Sequence, residues 1–95
     1  MADKRLKTDY NALFRFANEL EKFCDYLHSD VSELKRETDY ICGYSWKGEQ
    51  SEEFQMVVND NGEAIERDIM ELRDLIEKIK DSAEKLRIAS EHKIS

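Results

Sequence analysis

Apolar residues recur in the first half of the chain with an alternating spacing of four and three. One set recurs every seven residues, at Leu6, Leu13, Leu20, Leu27, Leu34 and Ile41. A second set lies between them, at Tyr10, Ala17, Cys24, Val31 and Thr38. This heptad pattern is typical of an α-helix that packs along its length against another helix. It predicts one helix over about residues 4–42, stopped by Gly43, because glycine readily adopts the left-handed conformation that ends helices.

The second half of the chain repeats this pattern. One set is Val58, Ile65, Leu72, Ile79 and Leu86, and the other is Ile69, Ile76 and Ala83. We predict a turn at residues 43–48, a second helix over about 49–90 and a frayed tail at 91–95. The run from Asn59 to Gly62 favours turns over helix interior, so the second helix could break there. Since Val58 and Ile65 stay in phase across this run, we favour a continuous helix, kinked or straight.

Two helices of similar length joined by a short turn predict an all-α antiparallel hairpin that forms a single domain over residues 1–95. Several large apolar residues flank the heptad sets, and one hairpin seam does not use them all. Those assigned to a partner interface are Phe14, Phe16, Phe23 and Leu75, with Phe14 on the flank opposite the other phenylalanines of its helix. A stripe this wide indicates a helix with more than one neighbour. The expectation is a second hairpin and a four-helix bundle dimer; the alternative is that these residues only broaden one hairpin core.

Composition narrows the class of partner. The chain has 95 residues, no proline and a formal net charge of −7. This charge argues against nucleic acid, whose phosphates require a basic surface, and against an anionic membrane surface. No run approaches the ~20 apolar residues of a membrane span, and the first residues lack the apolar segment of a secretory signal. We therefore expect a cytoplasmic protein without stable membrane insertion, which leaves the cell, if it does, without a cleavable signal.

No arrangement of residues suggests catalysis. Cys24 and Cys42 are separated by roughly 27 Å on a continuous helix, too far for a disulfide bond. His28 and His92 are distant in sequence, and neither lies in a cluster with metal-ligand spacing. The acidic residues are typical of solvated outer helix faces. We predict no catalytic residue, no metal and no cofactor, and therefore a protein that is not an enzyme.

The predicted turn contains the only tryptophan, in the sequence Trp46-Lys47-Gly48, and Phe54 follows eight residues after Trp46. With two heptad helices in a chain of about one hundred residues, this motif resembles the WXG family, small helical proteins of type VII secretion in Gram-positive bacteria and mycobacteria. Gly48 would allow a tight reversal or a close contact. Trp46 would either plug the end of the hairpin or present its ring to a partner.

The resemblance implies a secreted or secretion-associated protein that pairs with itself, with a homologue, or with the helical N-terminal region of a larger LXG toxin, and that contacts the secretion machinery. The sequence also departs from the family pattern near its C-terminal end. Family members often carry a C-terminal tyrosine followed four residues later by an acid, and here Leu86 and Ser90 stand near those positions. The only Tyr-x-x-x-Asp runs from Tyr26 to Asp30 in the first helix. Two alternatives stay open: a cytosolic coiled-coil adaptor unrelated to secretion, and an acid-responsive membrane-active protein.

Overall fold

A computed structural model describes the backbone of residues 2–94 and the side chains of residues 9–92. Helix α1 spans Ala2–Tyr40, a π-helical turn spans Ile41–Ser45, and helix α2 spans Glu49–Ile94. Within the described residues there are two long helices and no strand, so the predicted all-α helical hairpin is confirmed. Its pairing into a four-helix bundle stays a prediction.

The end of α1 differs from the expectation. Helix α1 gives way to the π turn after Tyr40, and the prediction that Gly43 takes a left-handed conformation is wrong. Among the described residues only Gly48 has a positive φ. The reversal therefore involves two features: the π turn at the end of α1, and Gly48 with its positive φ three residues after that turn.

Helix α2 continues without a break through the segment that the sequence marks as a poor helix former. The side-chain amide of Asn61 donates a hydrogen bond of 2.9 Å to the carbonyl of Val57, four residues earlier. Gly62 is buried, so the small residue faces the other helix. The helix extends to Ile94, through most of the predicted frayed tail, and Ser95 lies outside the described residues.

The backbone contacts divide the chain into two compact units, each containing a segment of both helices. The termini unit consists of residues 1–23 and 72–95, and the turn unit consists of residues 24–71. In the termini unit the buried residues are Ala17, Ile76, Ala83 and Ser90. In the turn unit they are Cys24, Val31, Thr38, Cys42, Ser51, Gly62 and Ile69.

One heptad set is buried much more deeply than the other. On α1 the set containing Ala17 and Cys24 is buried apart from the half-buried Tyr10. Of the leucines that alternate with it, Leu13, Leu20 and Leu27 are half-buried and Leu34 is exposed. On α2 the set containing Ile69 and Ile76 is buried, and Ile65, Leu72 and its heptad mates are half-buried. Most buried positions on α1 hold small residues, which allow two helices to approach closely. The larger leucines then lie beside the contact between the two helices and not within it.

Helix geometry places the two half-buried sets on one side of each unit. At 3.6 residues per turn, a residue three positions after a buried one lies about 60° to one side of it. In an antiparallel pair this offset points to the same side on both helices. The opposite side is polar: Lys80 pairs with Glu21 in the termini unit, and His28 Nδ1 lies 3.0 Å from Glu66 Oε1 in the turn unit. Each unit thus has an apolar side and an ion-paired side.

Candidate functional site: the turn and the apolar side

The turn motif is held by backbone hydrogen bonds at both of its ends. The amide of Trp46 donates to the carbonyl of Ile41 at 2.8 Å, which closes the π turn, and Trp46 itself is extended. Gly48 has a φ of 120°, and its carbonyl accepts the amide of Glu52 at 3.1 Å, the first bond of α2. A Cβ at Gly48 would meet nothing within 4 Å. Glycine is therefore required for the backbone conformation and not for space.

The buried side chains of Ser51 and Cys42 stabilise the turn through hydrogen bonds to backbone carbonyls. The hydroxyl of Ser51 donates to the carbonyl of Trp46 at 2.8 Å, and the thiol of Cys42 lies 3.6 Å from the carbonyl of Ser51. The sequence interpretation missed both residues. The signal that could have predicted this contact is a serine three positions after the turn glycine. A hydroxyl there is short enough to donate to a backbone carbonyl of the preceding turn.

Trp46 packs against the first turns of α2. Its ring centroid lies 5.6 Å from that of Phe54, with the planes tilted by 54°, a geometry favoured by aromatic pairs. Gln50, Glu53 and Val57 complete a shallow groove around the two rings. Trp46 remains 37% exposed, so the structure joins Trp46 to Phe54 and leaves part of the indole accessible.

A second aromatic pair lies beside the turn, and the sequence interpretation did not assign it. The rings of Tyr40 and Tyr44 lie 5.1 Å apart with a tilt of 41°. Both are exposed, and Ile41 beside them is about half exposed. Their four-residue spacing on consecutive helical turns is the signal that could have predicted the contact.

The four residues assigned to a partner interface do not form one set. Phe16, Phe23 and Leu75 are 54%, 52% and 51% exposed. All three occupy the heptad position next to the half-buried leucines, on the apolar side of the termini unit. Phe14 is half-buried and occupies the heptad position of Glu21, which belongs to the ion-paired side. The structure therefore groups Phe16, Phe23 and Leu75, and places Phe14 apart from them.

The charged side chains of the termini unit form partly exposed pairs. The hydrogen bond to Glu21 raises the pKa of Lys80, and the hydrogen bond from Arg87 lowers the pKa of Glu84. Arg87 pairs with Glu91 as well. Exposed pairs of this kind contribute little to stability. They mark which side of the unit is solvated.

The described residues offer no obvious site for inorganic chemistry. Cys24 and Cys42 are both buried free thiols. Across the described part of the chain, no three histidine, cysteine or acidic side chains are grouped to hold a metal ion. No helix in that part is long and apolar enough to cross a membrane.

The described residues form a small two-helix hairpin with an exposed apolar side and an aromatic turn. The chain belongs to the family described as "Proteins of 100 residues with WXG", whose model matches residues 5–89. Proteins of this family are small and helical, function in type VII secretion and often pair with partners. They are not known as enzymes. No curated protein and no solved structure matches the chain significantly.

Proposed function

We propose that this chain is a non-enzymatic component of type VII secretion that pairs helix-on-helix with a protein partner. The partner is a homologue, a second copy or the helical N-terminal region of an LXG toxin. The chain serves as a co-exported substrate or as the targeting partner of that protein. The observation that carries the proposal is the apolar side of the termini unit, where Phe16, Phe23 and Leu75 are each about half exposed.

These side chains have an energetic reason to be covered. Complete burial of a side chain such as phenylalanine or leucine contributes about 1.5–3 kcal/mol, and each of the three has about half of its surface still exposed. The half-buried leucines beside them would gain further burial. A chain of 95 residues buries only a modest fraction of its surface, which favours a partner that covers this apolar side.

The turn motif has a separate part in the proposal. Trp46 covers Phe54 with one region of its ring and leaves another accessible. A partner or the secretion machinery would contact that accessible region, because aromatic side chains with a polar N–H are favoured at interfaces. Gly48 acts only through the backbone, by fixing the start of α2.

Export would depend on the partner. The chain has no C-terminal tyrosine at the position expected for a signal, and Ser90, which stands near the position of the acid, is buried in the termini unit. A buried serine is already engaged in packing and cannot be read by another protein. The chain would therefore fold in the cytoplasm and leave the cell in complex with a protein that carries the signal. Its formal charge of −7 favours neither nucleic acid nor an anionic membrane as a partner.

The test is co-expression with defined partners. The chain is produced with the N-terminal region of an LXG toxin encoded beside it, with a neighbouring WXG homologue, and with an unrelated coiled coil as the control. We expect a stoichiometric complex with the toxin region or the homologue and none with the control. Phe23→Glu should abolish the complex, and Tyr26→Glu should preserve it, because Tyr26 is 71% exposed on the outer surface of α1.

Secretion assays in the native cell complete the test. Deletion of the partner should retain the chain inside the cell. A folded chain that binds neither partner and does not pair with a second copy, or a complex that is unaffected by Phe23→Glu, would contradict the proposal. A stable complex that never leaves the cell would support the adaptor alternative instead.

A further inference from the structure

The turn unit contains its own apolar groove, separate from the phenylalanines of the termini unit. The groove lies between the two helices, and its apolar lining is Val31, Leu34, Val57, Val58 and Ile65; Lys35, Asn61 and Gly62 complete it. Leu34 and Val57 are each about half exposed. Val57 also borders the groove of Trp46 and Phe54. The two grooves are therefore neighbours that share Val57, and together they are called the apolar strip of the turn unit.

Acidic residues border this strip at the heptad positions that hold large apolar residues in the termini unit. The heptad column of α1 that holds Phe16 and Phe23 continues in the turn unit with Asp30 and Glu37. The column of α2 that holds Leu75 contains Asp68 in the turn unit. Asp30, Glu37 and Asp68 are called the acidic rim.

The rim is exposed and uncompensated. All three rim residues are exposed, and none makes an ion pair or hydrogen bond with another described side chain. Two other acids of the turn unit do have partners: Asp39 accepts a hydrogen bond from Gln55, and Glu66 accepts one from His28. The charge on the apolar side is therefore left for a group from outside the unit.

The two units differ strongly in charge. The turn unit holds thirteen acidic residues and four Lys or Arg, a formal charge of −9. The termini unit holds nine acidic residues and eleven Lys or Arg, a formal charge of +2. The net negative charge of the chain thus originates in the turn unit.

We infer that the apolar strip of the turn unit binds a cationic amphipathic helix of another protein, with apolar residues at heptad spacing and Lys or Arg at the flanking positions. The inference rests on the proposed function and specifies the partner's chemistry. Apolar contacts supply the attraction, and the rim selects the partner by charge, since complementary flanking charges determine which helices pair. A second copy lying parallel would place the three rim acids against the same three acids, which disfavours pairing.

The experiment uses the full chain and two synthetic peptides. Both peptides are helical, about three heptads long, with identical leucine and isoleucine positions; the flanking positions are lysine in one and glutamate in the other. Binding is measured by anisotropy of the labelled peptide and by the emission of Trp46. At low salt the lysine peptide should bind at least about ten-fold more tightly than the glutamate peptide. The difference should largely disappear at about 1 M salt, where the screening length is only ~3 Å.

Matched variants locate the effect. The rim variant Asp30→Asn/Asp68→Asn should weaken lysine-peptide binding at low salt by about five-fold or more. The control Asp60→Asn/Glu63→Gln removes the same charge from exposed positions of the same unit and should change binding by less than about two-fold.

Three results would overturn the inference: equal binding of the two peptides, binding of neither, or equal effects of the two variant pairs. If the chain still forms its complex with a homologue or toxin region in that case, the proposed function stands. Only the inference that the acidic rim selects a cationic partner is then wrong. A tight dimer of the wild-type chain that excludes the lysine peptide would also overturn it, and would assign the strip to a second copy.

Discussion

At the scale of single residues, the two glycines of the turn segment have different roles. Gly48 has a φ of 120°, whereas Gly43 lies in the π turn without a positive φ, and an added Cβ meets nothing at either position. Gly48→Ala should therefore lower the free energy of unfolding by about 1–3 kcal/mol through backbone strain. Gly43→Ala, the matched control, should be neutral or stabilise by up to about 1 kcal/mol. Urea unfolding of both variants measures this, and equal losses would contradict the assignment.

Trp46 should contribute moderately to stability. Its ring contacts Phe54 but remains 37% exposed. Trp46→Ala should lower the free energy of unfolding by about 1–2 kcal/mol, less than the ~3–5 of a fully buried aromatic. Tyr44→Ala, at a more exposed ring near the turn, should lower it less. Emission of Trp46 should be intermediate in the free protein and shift to the blue on partner binding. A different result would show that Trp46 only fills the end of the hairpin core: fully blue emission in the free protein, together with a severe stability loss and normal partner binding in Trp46→Ala.

At the scale of the helices, Gly62 is a weak point of α2. A Cβ there would lie 2.6 Å from Cε of Lys35 and 3.4 Å from Cγ1 of Val31. The end of the lysine side chain can move aside, and alanine favours a helix interior over glycine by about 1 kcal/mol. Gly62→Ala should thus raise the free energy of unfolding by up to about 1 kcal/mol. Gly62→Val, which adds bulk towards Val31, should lower it. Destabilisation by alanine in thermal unfolding would show that Lys35 is fixed in place.

The end of α2 contributes less than its length suggests. Glu91 adds one exposed pair with Arg87, worth at most about 1 kcal/mol. Deletion of residues 91–95 should leave the melting temperature almost unchanged. Deletion of residues 82–95, which also removes the buried Ala83 and Ser90, should lower it markedly. A large loss from the shorter deletion would show that the tail packs. Loss of export with an intact fold would make the tail a docking segment.

At the scale of the whole molecule, the heptad spacing predicted both helices because the sequence period and the packing period are the same. It did not reveal which heptad set is buried. That choice depends on size matching between helices: Cys24 and Val31 are buried while Leu34 is exposed, which hydrophobicity alone would reverse. The turn was predicted in position but not in form, since its form depends on hydrogen bonds that follow no periodic pattern, such as those from the Trp46 amide to Ile41 and from the Ser51 hydroxyl to Trp46.

The central claim is that the apolar side bearing Phe23 is a pairing surface distinct from the hairpin core. Sedimentation velocity tests it most directly, on the wild-type chain, Phe23→Glu and Tyr26→Glu at high concentration, with helicity followed in parallel. The wild-type chain and Tyr26→Glu should sediment as a dimer or larger species, more so at high salt, where repulsion between acidic units is screened. Phe23→Glu should sediment as a folded monomer. A wild-type chain that stays a fully helical monomer at high concentration and with each candidate partner present, or a Phe23→Glu variant that unfolds instead of dissociating, would contradict the claim.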